Sequence, residues 1–404
     1  MTTQPPQNRN AAPEIASLTT ANVILFAFAC GATTANVYYS QSIASLIASS
    51  LHLPASLAGL IVTTTQLGYG IGLFFLVCLA DLVENRRLVL ITTAGTILSL
   101  IGVAASSSAT AVVIASFLLG ISTVGSQVLV PLAVHLSPEG QRGKIIGNIM
   151  FGLVSGIMLS RPLASFLAGH WGWRAIFIFS AAVMLSTFIL MARALPQWHP
   201  QPKRNYMATL RSMLTLLATS RTLQRRAAYQ GTMFGIFNMF WTAAPAMLHL
   251  RFGLGQSGIA AFALAGAAGA LSAPVAGKIA DRGGSKIGTG VVIGCAGLAL
   301  LISGWGQAIA SLMILVFAAI ILDAATQANQ VFGQRAIQSL DAEARGRLNA
   351  VYMTVIFICG AAGSALGSLT YFHGGWVTTA TVGAGLALVM LLVFLTELRA
   401  KKTG

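Results

Sequence analysis

Long apolar runs dominate this chain and constrain its fold more than any other feature. A helix needs about 20 apolar residues to cross a bilayer, and the sequence contains twelve such runs. Charged residues make up only 8% of the chain, against about 25% in ordinary soluble domains, which leaves too little polar surface for a soluble globule. The predicted spans are 20–48, 57–80, 88–106, 110–134, 144–168, 174–194, 225–250, 257–279, 288–306, 309–334, 347–371 and 375–397.

The basic residues between these runs predict the orientation of the chain. Lys and Arg collect in the cytoplasmic loops of membrane proteins. With a cytoplasmic N-terminus, 21 of the 24 basic residues fall on the cytoplasmic side, and only Arg174 and Arg251 fall on the other. The sequence therefore predicts a multi-pass protein of the cell inner (plasma) membrane, with cytoplasmic tails at 1–19 and 398–404.

Several classes of function are excluded by the same pattern. The net charge of +15 is spread over short loops, so we expect no nucleic-acid partner. The four Cys lie inside apolar runs at no metal-ligand spacing, and the six His are scattered without a carboxylate at ligand spacing. We therefore expect no metal, no cofactor and no enzyme activity. The lipid bilayer is a predicted partner.

The chain contains an internal repeat. The loop after the second run reads LADLVENRR and includes Asp81, and the loop after the eighth reads IADRGGSK and includes Asp281. The separation in sequence between Gln127 in SQV and Gln330 in NQV is nearly the same as that between the two Asp. Two like halves of the same orientation imply a pseudo-two-fold axis along the membrane normal, as in one class of secondary transporters.

The repeat fixes the predicted fold class. We predict an all-α membrane protein with twelve transmembrane helices in two pseudo-symmetric six-helix bundles, at 20–194 and 225–397. The long, basic connection 195–224 is a cytoplasmic linker, and a short surface helix is expected near 205–218.

The repeated loops carry a family resemblance. GKIADRGGSK (Gly277 to Lys286) follows the pattern G-x-L-A-D-R-x-G-R-K, which lies between the second and third spans of the major facilitator superfamily. VCLADLVENRR is the first-half copy, with Val77 and Glu84 at the Gly positions. The chain resembles this superfamily along nearly its whole length, and segments such as NVYYSQ (36–41) resemble its bacterial drug- and sugar-efflux-like branch. The resemblance implies the superfamily's fold and alternating access.

Charged residues at the predicted cytoplasmic edge are candidates for a gate. Ion pairs and helix-terminus contacts there could hold the inner face closed, and the resemblance implies this role for the two Asp of the repeated loops. The alternative is that these charges only orient the chain. The gate candidates are Asp81, Arg86, Arg142, Asp281, Lys286 and Arg345.

Two ionisable residues lie deep inside spans, where charge is costly and usually functional. Asp323 is near the middle of the tenth span, and Arg161 is central in the fifth. A poorly hydrated carboxyl group holds a proton more readily than one in water, so Asp323 is a candidate proton carrier or solute ligand. Arg161 cannot lose its proton and could bind an anionic solute or serve as the counter-ion of Asp323. The alternatives are purely structural hydrogen bonds for both.

Polar side chains on several spans are candidates for lining a central cavity. Gln327 and Gln330 share a helical face with Asp323. Asn36 and Tyr39 fall on one side of the first span, whereas Tyr38 is assigned to an interfacial aromatic belt. In the repeat-related seventh span, Asn238 and Trp241 lie at i and i+3 and could form the matching wall. Gln66 and Tyr69 on the second span and Gln127 on the fourth are further candidates.

These features predict a secondary active transporter. It would export a small drug-like, sugar or metabolite solute as a monomer by alternating access, with protons as the coupling ion. The alternative is uptake or uniport of an anionic or sugar-like solute with Arg161 as its ligand.

Overall fold

The chain folds into long α-helices. The computed structural model describes residues 19–137, 141–197, 205–341 and 344–400, and these ranges contain no strand. Residues 1–18, 198–204 and 401–404 of the predicted tails and linker lie outside the described residues. The first half of the chain contains α1 (Thr20–Ala35), α2 (Tyr39–Ser50), α3 (Gly59–Phe75), α4 (Asn85–Ala105), α5 (Ala109–Ser122), α6 (Gly125–His135), α7 (Arg142–Trp171) and α8 (Arg174–Ala194).

The second half follows the surface helix α9 (Tyr206–Thr219), which agrees with the helix expected near 205–218. Its helices are α10 (Arg221–Phe252), α11 (Gln256–Ala267), α12 (Ser272–Asp281), α13 (Ser285–Ala308), α14 (Leu312–Gln338) and α15 (Arg345–Ala400).

The helices are long and apolar enough to cross a membrane. Ten segments in the described ranges meet this requirement. One of them, Arg345–Leu398, turns at Gly375, whose φ of 73° is easily adopted only by glycine, so it holds two consecutive helices. The 32-residue α10 is not among the ten, yet it is long enough to cross. It carries Gln230, Asn238 and Trp241, and such polar and aromatic residues lower its hydropathy.

The first predicted span is broken in its middle. It consists of α1 and α2, separated by a turn at Asn36 to Tyr38. The Asn36 amide donates to the carbonyl oxygens of Ala32 and Thr33, at 3.0 and 3.1 Å, which satisfies the last carbonyls of α1. A side chain that bonds the backbone in this way competes with helix continuation, so the face presented by α2 differs from the one that an unbroken helix would present.

Each half has its own buried packing. In the first half, α1 packs on α7, α3 on α5, and α4 on α8, whereas in the second half α10 packs on α15 and α13 on α14. Across the halves, α3 packs on α15, α7 on α11, and α2 on α10. The two halves therefore meet mainly along these three helix pairs, and the side chains on those pairs form the interior of the molecule.

The two ends of the helix bundle differ in their contacts. We call the end that carries α9 the linker face, where the Tyr206 hydroxyl donates to the Phe75 carbonyl at 3.2 Å. At the other end, the opposite face, the Gly59 amide donates to Ser368 Oγ at 3.3 Å, and this hydroxyl donates to the Ser56 carbonyl at 2.9 Å. The halves are joined at the opposite face by these direct bonds.

Gly269 sets the position of the central part of α14. It lies in a short 3-10 helix, Ala268–Leu271, between α11 and α12. A Cβ at this position would lie 2.5 Å from the Ile320 carbonyl oxygen and 2.7 Å from the Asp323 Cβ. Only glycine allows the two backbones to approach this closely, and the approach fixes the helix that presents Asp323.

Candidate functional site

A buried ion pair joins the two halves. Arg161 projects from α7 and Asp323 from α14, and the Arg161 Nη1 atom lies 3.9 Å from the Asp323 Oδ2 atom. The side chains are 3% and 7% exposed. At this distance the groups attract each other but are not directly hydrogen-bonded, so polar contacts remain open on both partners.

Aromatic side chains surround this pair. The Trp241 indole nitrogen donates to Asp323 Oδ1 at 2.7 Å. The Arg161 guanidinium carbon lies 4.4 Å from the Trp241 ring centre, 4.8 Å from that of Phe237 and 5.8 Å from that of Tyr38. Ring faces attract a cation, most strongly where water is excluded. Together with Asp323, the rings keep the charge of Arg161 in the interior.

A network of side-chain amides extends from the ion pair. The Arg161 Nε atom donates to Gln41 Oε1 at 2.9 Å, and the Gln41 amide donates to Asn238 Oδ1 at 2.5 Å. The Gln66 amide donates to the same Asn238 oxygen. Because Gln41 and Gln66 belong to the first half and Asn238 to the second, this network crosses the interface between the halves.

Two buried polar atoms on the side chains of this network have no described partner. They are Arg161 Nη2, which is a donor, and Gln66 Oε1, which is an acceptor. Buried polar atoms without partners are uncommon and call for an explanation. A cavity of about 10 Å³, room for about one water, adjoins the guanidinium. Its lining includes Ser42, Arg161, Trp241, Pro245, Leu248 and Phe262.

The predicted glutamines lie nearer the linker face. Gln327 and Gln330 follow Asp323 along α14 and are half-buried, and the Gln330 amide lies 3.3 Å from the Met353 sulfur. Gln127 on α6 is also half-buried, and its amide donates to the Tyr69 hydroxyl at 3.3 Å. The described contacts link Gln127 to α3 and Gln330 to α15, and none of them reaches Arg161.

The structure does not bring Asn36 and Tyr39 into this cluster. Asn36 caps α1 and accepts a hydrogen bond from Ser180 Oγ at 2.6 Å, while Tyr39 packs among buried residues of the first half. Tyr38, expected in an interfacial belt, instead faces Arg161. The break between α1 and α2 is the reason, because a face counted from Asn36 does not continue beyond it.

The gate candidates lie at the linker face, as expected from their loops. Asp281 forms an ion pair with Arg335, and these side chains are 60% and 54% exposed. Arg86 donates to the Ala192 carbonyl, and Arg345 donates to the Gln338 carbonyl at 3.1 Å. Each of these described contacts stays within one half of the chain. Asp81 ends a short 3-10 helix, Lys286 lies in the first turn of α13, and the Arg142 side chain lies outside the described residues.

Sequence reasoning left Gln41 and Phe237 out of the candidate site, whereas Gln66 was among the further candidates. Gln41 lies three residues after Tyr38, and residues at this spacing share a helical face. Counting from Tyr38, after the break, would therefore have placed the two side chains together. Phe237 was indistinguishable from the many other apolar residues of its run. Its position beside Trp241 and Arg161 depends on how the halves pack, which no local pattern specifies.

Comparison with known proteins identifies the family. The Major Facilitator Superfamily model matches residues 23–339. A putative uncharacterized transporter, YgaY, from Escherichia coli (strain K12) is 38% identical over 383 residues, which cover 93% of this chain and 95% of YgaY. The chain therefore belongs to the major facilitator superfamily, and it is a transporter with an all-α membrane fold.

More distant comparisons add a named activity and a structure. The purine ribonucleoside efflux pump NepI from Salmonella paratyphi C is 22% identical, with 93% of each chain covered. The crystal structure of a bacterial homologue of the human lysosomal transporter Spinster, in an inward-facing and occupied conformation, matches with a TM-score of 0.74 at 12% identity. It covers 94% of this chain and 97% of that one, and at this identity it shows the fold alone.

Proposed function

We propose that this transporter couples the movement of a small solute to protons, with Asp323 as the proton carrier and Arg161 as its counter-ion. The observation that carries the proposal is the buried ion pair between α7 and α14. Asp323 can gain or lose a proton, whereas Arg161 stays charged. An ionisable group placed between two packed halves suits a carrier whose site is reached from each side in turn.

The pair supplies a physical link between proton binding and movement. While Asp323 is ionised, its attraction to Arg161 holds the halves together. A proton on Asp323 removes that attraction, and a solute inserted between the groups weakens it as well. Either event loosens the same contact. Exchange of a proton for a solute therefore follows if the two compete for this position.

Export is the direction that we propose. The support is the alignment with NepI, a purine ribonucleoside efflux pump, over 93% of the chain. In a cell with a more acidic exterior, exchange against incoming protons would drive the solute outward. The bonds between Gly59, Ser56 and Ser368 support a conformation closed at the opposite face, which is the exterior side in the predicted orientation.

Proteoliposomes provide the test. We expect the purified protein, reconstituted with a pH-sensitive dye inside the vesicles, to move protons when a transported solute is added, in the direction opposite to the solute. A protonophore should then abolish uphill accumulation of the solute. Accumulation that is unchanged by the protonophore would contradict proton coupling.

A second candidate is uptake of an anionic solute on Arg161. It is favoured by the unpartnered Nη2 atom. In this case the anion and a proton would enter together, because an anion on Arg161 releases Asp323 from its partner. In inverted membrane vesicles with an acidic lumen, export by exchange predicts accumulation of the solute, whereas proton–anion cotransport predicts none.

A further inference from the structure

We infer that the solute is a neutral ring compound that carries a hydrogen-bond donor and an acceptor side by side. This inference rests on the proposed function, because it uses the same ion pair. It names the chemistry that the site recognises: a lactam edge, with adjacent N–H and C=O, or a vicinal diol on a sugar ring.

The first argument is the geometry of the ion pair. The 3.9 Å between Arg161 Nη1 and Asp323 Oδ2 exceeds hydrogen-bond distance. The Arg161 Nη2 atom has no described partner, while the other carboxylate oxygen is bonded to Trp241. The ion pair therefore presents a free donor on Arg161 beside a loosely held acceptor on Asp323. A solute complements these two groups when it carries an acceptor beside a donor.

The second argument is charge. The charges of Arg161 and Asp323 cancel, and both side chains are almost completely buried. A neutral solute leaves that balance intact. A cation or an anion entering alone would leave one buried charge uncompensated, which is costly. The site therefore selects against cations, and against anions unless a proton accompanies them.

The third argument is shape. Tyr38, Phe237 and Trp241 place three rings around the guanidinium. A solute that separates the ion pair would therefore lie against aromatic side chains, on which flat rings pack well. Gln66 adds an unpartnered acceptor in the connected amide network. A ring with polar edges satisfies these surfaces better than a flexible chain.

Competition with protons follows from the same contacts. A donor on the solute bonds more strongly to an ionised carboxylate than to a protonated one. Solute and proton therefore exclude each other at Asp323, which is the exchange required for export. The chemical class and the coupling are connected, but they can be measured separately.

The test compares matched probes on the purified full-length protein in lipid nanodiscs by thermal shift. Uracil and its 1,3-dimethyl derivative form one pair, and methyl riboside and its 2,3-isopropylidene acetal form the other. Orotate and benzamidine supply the anion and the cation. We expect one unblocked probe to stabilise the protein, and its blocked and charged counterparts to do so far less. The pair that responds distinguishes the lactam from the diol.

Affinity at two pH values separates the two proposals. We expect the active probe to bind about tenfold more weakly at pH 6 than at pH 8, with no such change in Asp323→Asn, whose amide oxygen still accepts. Equal binding of blocked or charged probes, or no shift with any probe, overturns the chemical class. Stronger binding of orotate at pH 6 also overturns it, yet leaves proton coupling in place. A neutral probe with pH-independent affinity overturns the coupling and leaves the class in place.

Discussion

Replacing Asp323 with Asn is expected to reduce proton-driven solute transport to background. The amide is close to the carboxylate in size and still accepts a hydrogen bond from Trp241, but it cannot carry a proton. Proton release and solute loading are then uncoupled. The measurement is solute accumulation in proteoliposomes under an imposed pH gradient, normalised to the amount of folded protein.

Solute exchange without a gradient should survive in this variant, which distinguishes a coupling defect from unfolding. Glu84→Gln is the matched control, because it removes a half-buried carboxylate that precedes the first turn of α4. This control should transport like the wild type. Normal proton-driven accumulation by Asp323→Asn would show that the proton is carried elsewhere.

Breaking the buried ion pair from one side is expected to destabilise the protein, and removing both partners is expected to restore stability. Arg161→Gln and Asp323→Asn each leave one buried charge without its partner, which costs about 3–5 kcal/mol. The double variant leaves no uncompensated charge, so its stability should return to within about 1 kcal/mol of the wild type. Thermal and denaturant unfolding in nanodiscs measure the stability of the wild type, the two single variants and the double variant.

The two single variants should differ in their response to pH. In Arg161→Gln the stranded carboxyl can take up a proton, so the loss of stability should shrink as the pH falls. In Asp323→Asn the stranded guanidinium has no such escape, and the loss should persist at every pH.

The exposed pair Asp281–Arg335 provides the matched control. Its side chains are 60% and 54% exposed, so Asp281→Asn and Arg335→Gln should each cost at most about 1 kcal/mol. Equal effects at the two pairs, or a double variant at the buried pair that is no more stable than the singles, would contradict the account of a charge-balanced interior.

The fold was largely predictable because its determinants are local. Apolar runs between basic loops specify the spans without reference to the rest of the chain, and the duplicated Asp81 and Asp281 loops identify the family. Arg161, Asp323, Asn238 and Trp241 were recognisable because ionisable, amide and indole groups are conspicuous inside apolar runs. For Arg161 the sequence left three roles open: counter-ion of Asp323, ligand of an anionic solute, and a purely structural role.

The remaining parts of the site depend on long-range packing. The break at Asn36 involves Ser180, which lies 144 positions away in the chain, so counting residues along the first span placed Tyr39 rather than Tyr38 toward the centre. The approach of α14 to Gly269 and the convergence of Gln41 and Gln66 on Asn238 arise only when helices from distant parts of the sequence meet.

Alternating access requires the halves to separate at the opposite face, and a reversible lock tests that requirement most directly. A Cβ at Gly59 would lie 2.6 Å from the Ser368 Cβ and 2.8 Å from the Ser364 carbonyl oxygen. The two helices must therefore move apart slightly to admit Gly59→Cys, and this movement brings its Cβ toward the 3.5–4.5 Å or so that a disulfide with Ser368→Cys requires. In a background where Cys30, Cys78, Cys295 and Cys359 are replaced, we expect oxidation of this pair to stop solute transport while solute binding from the linker face persists. Reduction should restore transport, and either single Cys variant should be unaffected by oxidant. Transport at the wild-type rate by the fully cross-linked protein would contradict the account.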